Sequence, residues 1–209
     1  MKDMKKIKKA VLMLIAAAVL IGIIAASVIL LTQNRTVRYD NDGNVIELPE
    51  WIITDHLPKN EYSRPGDKTD DIVGIVVHYV GNPNTSAKAN RDYFASLAVS
   101  GATSASSNFI IGLDGEIIEC VPLGEIAYCS NSRNIDTVSI ECCHPDETGE
   151  FTPETYASLV KLCRWLTDVY GIKPEGIIRH YDIKGKLCPL YYVEHEDEWK
   201  SFVEEVFVK

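Results

Sequence analysis

Two histidines and one cysteine are the residues of this chain best suited to chemistry. His78 lies near the end of an apolar run, Ile72 to Val80; His180 closes a shorter run that starts at Gly176; Cys188 follows in Lys186-Leu187-Cys188-Pro189. Two imidazoles and a thiolate suit a catalytic zinc ion, because they fill three tetrahedral positions and leave the fourth for water. A lone His or Cys in a strand is more often a packed core residue, so spacing alone does not select zinc. The same residues also allow a thiol enzyme, with Cys188 as nucleophile and His78 or His180 as its base.

The elements that must hold these residues follow from pattern and punctuation. Ile72 to Val80 is β-branched and nearly continuous, as a central strand covered on both faces would be. Ser86 caps an expected helix through Tyr93, Phe94 and Leu97, closed by Ser100-Gly101. Asn108 to Ile111 and Glu116 to Val121 flank Asp114-Gly115, a strong hairpin signal. Thr137 to Cys143 reads as another buried strand. Thr152-Pro153 opens a helix carried by Tyr156, Leu159, Val160, Cys163, Leu166 and Tyr170 and ended by Gly171. Gly176 to His180 is expected as a strand, and Asp197 to Val208 as a last helix with Trp199 and Phe202 in the core. Strands interleaved with helices predict an α/β fold, a mixed β-sheet flanked by helices. Chemistry then belongs at the strand ends.

In that order, the motifs resemble the zinc amidase family of phage amidase lysozymes, animal peptidoglycan recognition proteins and clostridial wall amidases. The resemblance runs from about residue 60 to 207. It rests on Gly74-Ile75-Val76-Val77-His78-Tyr79, Ser106-Ser107-Asn108-Phe109-Ile110-Ile111 with Asp114-Gly115, Thr137-Val138-Ser139-Ile140-Glu141, His180-Tyr181-Asp182, and Gly185-Lys186-Leu187-Cys188-Pro189. It implies a Zn2+ cofactor held by His78, His180 and Cys188, and hydrolysis of the amide between N-acetylmuramic acid and L-alanine in peptidoglycan. Lys186 falls on the family's basic residue beside the metal, and Glu141 on the acidic residue of its bacterial branch. A carboxylate can take a proton from water and an ammonium can stabilise an oxyanion. The plain alternatives are a solvated loop charge for Lys186 and an ion-pair partner for Glu141. Ser107 stands where many members have Tyr, and Cys129 where many have His; with Asn108 they are the expected substrate-binding positions. A module of the same fold that binds muropeptides without cutting them is the alternative to the enzyme.

Composition bounds what surrounds this site. With 46% hydrophobic and 24% charged residues, the chain is neither disordered nor of low complexity. Residues 1–9 carry five Lys and one Asp, or +4, leaving 16 basic and 29 acidic residues, or −13, for the rest. Nucleic acid is therefore excluded as a partner, and wall polymers must be recognised at a specific site rather than through bulk charge.

From Ala10 to Leu31 there are 22 uncharged residues, which as a helix reach roughly 33 Å, enough for a bilayer core. This predicts a transmembrane signal anchor over 10–31. Residues 1–9 would lie in the cytoplasm and the catalytic domain outside the cell membrane; a cleaved secretion signal is the alternative. Residues 32–70 read as a linker and irregular lead-in, with Val45 to Leu48 and Trp51 to Ile53 able to pack on the domain that follows over 71–209. Beyond Cys188, five cysteines remain. Cys142 and Cys143 should face opposite sides of their strand and Cys163 should be buried, while a bridge from Cys120 or Cys129 to the 137–143 strand stays open.

Overall fold

Ile75, Val76 and Val77 are all inaccessible to solvent, and the strand that carries them organises the sheet. The computed structural model describes residues 36–208 together with Met13 and Val19–Ile21. Two units divide the chain, Met1–Val37 and Arg38–Lys209. In the second, the strands are β1 (Arg38–Tyr39), β2 (Val45–Ile46), β3 (Ile52–Thr54), β4 (Gly74–Tyr79), β5 (Phe109–Ile111), β6 (Ile117–Glu119), β7 (Thr137–Cys142) and β8 (Ile177–Arg179). The helices are α1 (Ala87–Ser100), α2 (Pro153–Tyr170), α3 (His180–Lys184), α4 (Leu190–Glu194) and α5 (Glu196–Phe207).

Six strands form one sheet in the order β3-β6-β5-β7-β4-β8. The β5–β6 pair is antiparallel and every other pair in this sheet is parallel, so the sheet is mixed, as the pattern predicts. Alternation along the strands supplies two cores. Ile75, Val77, Phe109, Ile111 and Ile140 pack with Leu159 and Leu166 of α2 and Trp199 and Phe202 of α5. On the other face Ile110 and Ile118 pack with Ala87, Phe94 and Leu97 of α1. A strand buried on both faces has no polar side to show, which explains the unbroken apolar run of β4.

Local chemistry sets the element ends. The Ser86 hydroxyl accepts from the Ala89 amide at 3.2 Å to start α1, and the Thr152 hydroxyl accepts from the Thr155 amide at 3.0 Å to start α2. Between β5 and β6, Gly115 takes φ 82° and its amide donates to the Gly112 carbonyl at 3.1 Å. A Cβ there would stand 2.8 Å from the Glu154 carbonyl oxygen, so the turn requires glycine.

Several expectations change. The segment read as an irregular lead-in contains β3, which pairs in parallel with β6 (Ile52 with Ile117, Thr54 with Glu119), and Ile46 and Ile52 belong to the core. His180 opens a helix instead of closing a strand, because the Asp182 carboxylate accepts from the Arg179 amide at 2.8 Å and turns the chain there. All six cysteines are free thiols, so no bridge joins Cys120 or Cys129 to β7. Cys142 and Cys143 face opposite cores and Cys163 is buried, as expected.

The transmembrane anchor expected over 10–31 is corrected. Among the described residues no helix is long and apolar enough to cross a membrane. Only Met13 and Val19–Ile21 of that stretch are described, as helical residues, and a span needs about 20 in succession. The expectation rested on apolar length alone, which does not by itself fix a continuous helix. The rest of the stretch lies outside the described residues. The membrane partnership and the single-pass localisation inferred from the anchor fall with it.

Candidate functional site

Parallel register brings the site together. His78 of β4 is paired with Glu141 of β7, and Val77 with Arg179 of β8, so the next residue along, His180, arrives at the same end of the sheet. All three groups therefore sit at the carboxyl ends of neighbouring strands, the position from which α/β sheets present their chemistry. Cys188 arrives on the loop after α3, which is tied back by the Tyr181 amide donating to the Cys188 carbonyl at 3.0 Å. Arg179 braces this corner by donating to the Tyr192 carbonyl at 2.8 Å and to Glu196 at 2.6 Å.

The donor atoms of His78, His180 and Cys188 all lie within 4.8 Å of one another, and all three residues are buried. Nδ1 of His78 is 3.7 Å from Sγ of Cys188. Ordinary zinc bond lengths and a tetrahedral angle place N and S about 3.6 Å apart, so this edge has the size that zinc needs. Nδ1 of His180 is buried without a hydrogen-bond partner, as a ligand atom would be before its cation is counted. Burial pushes the His78 imidazole well below its ordinary pKa, helped by His180 and Lys186, and lowers His180 with help from Lys186 and Lys184. Both rings are therefore neutral near pH 7, the form that ligates a metal. The residues present fit a metal ion.

Glu141 lies beside the cluster. With His78 and Cys129 it forms a second set whose donor atoms are within 4.8 Å of one another. Oε1 accepts from the Cys129 thiol at 3.5 Å, whereas Oε2 is buried and has no partner. Burial pushes the carboxyl up to about 7, against the Cys129 hydrogen bond and the Lys186 charge, which pull it down. Lys186 is exposed, yet its charge reaches His78, His180, Glu141 and Cys188.

Two of the expected substrate-binding residues lie inside the sheet. Ser107 is fully buried and its hydroxyl donates to the Phe109 carbonyl at 2.8 Å. Asn108 is buried as well: its Oδ1 accepts from the Ser139 amide at 3.0 Å and its Nδ2 donates to the Glu125 carbonyl at 3.3 Å. Both are brackets inside the sheet, with their polar atoms already used. Cys129 does border the site, but against Glu141. Nor does Cys188 suit a thiol nucleophile: it is 1% exposed, and burial with the Glu141 charge pushes its thiol up to about 12, the opposite of an activated cysteine.

Pattern reading missed Ser130 and Asn131, which touch the two histidines. Ser130 Oγ is 3.1 Å from Nε2 of His78, and Nδ2 of Asn131 is 2.7 Å from Nε2 of His180. Their residue types signal only a turn.

Residues 68–190 match the family model described as N-acetylmuramoyl-L-alanine amidase. The chain is 29% identical over 167 residues to the N-acetylmuramoyl-L-alanine amidase CwlL of Bacillus licheniformis, covering 74% of this chain and 46% of that protein. It is 28% identical over 175 residues to the N-acetylmuramoyl-L-alanine amidase BlyA of Bacillus subtilis (strain 168), with the same two coverages. The chain thus spans less than half the length of these relatives. Among solved structures, the catalytic domain of XlyA superposes with a TM-score of 0.64 at 25% identity, covering 74% of this chain and 98% of that domain.

Proposed function

We propose that this chain, which belongs to the N-acetylmuramoyl-L-alanine amidase family, is a zinc hydrolase that cuts the amide between N-acetylmuramic acid and L-alanine in peptidoglycan. The convergence of His78, His180 and Cys188 from two strand ends and a loop is the observation that carries the reading. Zinc held there would supply Lewis acidity at the scissile carbonyl and a water of lowered pKa.

The remaining work falls to the chain's own side chains. Glu141, with one buried oxygen unpartnered, takes a proton from the attacking water as its oxygen bonds to the carbonyl carbon. It returns that proton to the leaving L-alanine nitrogen as the C–N bond breaks. A carboxyl near pH 7 in affinity can do both at neutral pH. The Lys186 ammonium, on the exposed side of the cluster, stabilises the charge that develops on the carbonyl oxygen. The products are the muramic acid carboxylate and a free peptide amine.

The test joins metal content to the bond cut. Purified protein should hold about one zinc per chain and release new L-alanine N-termini from purified peptidoglycan, and a chelator should stop the release. Cys188→Ala should lose both zinc and release. Zinc retained by Cys188→Ala would overturn the ligand assignment. Wild-type protein that holds zinc yet releases nothing would favour a muropeptide-binding module.

A further inference from the structure

Three successive residues of one loop each touch a different group of the site. The Cys129 thiol donates to Glu141, Ser130 Oγ meets Nε2 of His78, and the Asn131 carboxamide meets Nε2 of His180. The loop is itself pinned: Oδ1 of Asn134 accepts from the amides of Cys129 at 3.1 Å and Ser130 at 2.5 Å. Asn131 adopts φ 55°, a left-handed conformation that asparagine tolerates better than most residues. This bend lets consecutive side chains reach two rings, one from β4 and one from the start of α3.

For His78 the contact falls on the nitrogen opposite the one that meets Cys188, and for His180 on the nitrogen opposite the one left without a partner. A neutral imidazole carries one proton, so whichever nitrogen holds it cannot ligate. If Nε2 of His78 donates to Ser130 Oγ, the lone pair of Nδ1 is left facing the Cys188 sulfur 3.7 Å away. The structure turns Nδ2 of Asn131 toward Nε2 of His180; half a turn of the carboxamide presents its oxygen there instead. Presenting the oxygen accepts a proton from Nε2 of His180 and leaves the lone pair on Nδ1, the buried atom that otherwise lacks a partner.

We propose that Ser130 and Asn131 are positioning residues that hold the proton of each histidine on Nε2, so that both rings offer Nδ1 to a cation. The proposal rests on the metal-site reading above, and it adds the part of the chain that prepares the ligands. Partners to a ligating imidazole of this kind alter metal affinity by about 10- to 100-fold when removed.

Zinc affinity is to be measured by competition with a chromophoric chelator for the whole chain and for Ser130→Ala, Asn131→Gly and Asn131→Asp. Glycine keeps the left-handed backbone without strain and deletes only the carboxamide; aspartate can accept a proton but not donate one. Ser130→Ala and Asn131→Gly should each weaken zinc by about 10- to 100-fold, while Asn131→Asp holds it at least as tightly as wild type. Nitrogen-15 NMR of the histidine rings gives a second readout without metal. Nε2 should be protonated on both rings of the wild type, and His180 should lose that preference in Asn131→Gly. Equal zinc affinity in wild type, Ser130→Ala and Asn131→Gly would overturn the proposal, as would a wild-type proton on Nδ1. Should wild type take up no zinc, the metal reading fails and the ring tautomers decide the positioning role alone.

Discussion

His78 and Glu141 are direct partners across two parallel strands, β4 and β7. Partners in register project from the same face, with their strands about 4.8 Å apart. An imidazole of the donor cluster and a buried carboxyl are therefore set side by side by backbone hydrogen bonding. A slip of one residue between β4 and β7 would turn one of them to the opposite face.

The first prediction follows from that pairing. Glu141→Gln keeps size and polarity but removes the group proposed to carry the proton, so turnover should fall by about 10²- to 10⁴-fold while zinc stays bound. Release of L-alanine N-termini and metal analysis on the same sample measure the two effects. Near-normal release would assign the proton transfer to another group.

Ser107→Ala should behave in the opposite way. Its hydroxyl is spent on the Phe109 carbonyl inside the sheet, so its loss should cost roughly 0.5–1.5 kcal/mol of stability and leave turnover unchanged. Chemical denaturation beside the release assay checks both. A large loss of turnover with full stability would return Ser107 to the substrate groove.

Acid should act through Glu119. Burial alone would raise this carboxyl, but hydrogen bonds from His56 and Arg38 outweigh it and hold the group below its ordinary value of 4.5. Its contribution to stability is thus complete above that value and is lost as the pH falls through the lower, folded one. Glu119→Gln should reduce stability near neutral pH and flatten the acid side of the melting-temperature profile. An unaltered acid side would place the sensitivity in other carboxylates.

Removing residues 1–70 should destabilise the fold, because β3 leaves with them and exposes its partner β6 together with the space filled by Ile46 and Ile52. A chain starting at residue 36 should melt at a higher temperature than one starting at residue 71. Equal melting temperatures would show that β3 adds nothing to the sheet.

The legible parts of this molecule are those where one physical requirement dominates several consecutive residues. β4 is readable because both of its faces are covered, and α2 because Thr152, Pro153 and its apolar stripe agree. The donor cluster is readable because few roles suit two His near strand ends and a Cys shortly after. β3, at three residues, is too short to show alternation, and α3 and α4, at five residues each, are too short to show a helical stripe. Ser130 and Asn131 are hidden for another reason. Their partners lie 52 and 49 residues away in sequence, and nothing local distinguishes them from turn residues. The burial of Ser107 is hidden because a serine looks the same in sequence whether its hydroxyl faces a groove or a neighbouring carbonyl.

Cys188 and His78 are separated by 110 residues along the chain, and they meet only through strands that run parallel. Parallel pairing closes long loops, which is slow because the entropy cost comes before most contacts form. The donor cluster is thus complete only after β4 and β8 have been laid side by side. No shorter stretch of the chain holds all three donors, so the cluster cannot act as an early folding nucleus in the manner of a zinc finger. A cation taken up there comes late, and it stabilises the finished fold by mass action, in proportion to how tightly it binds.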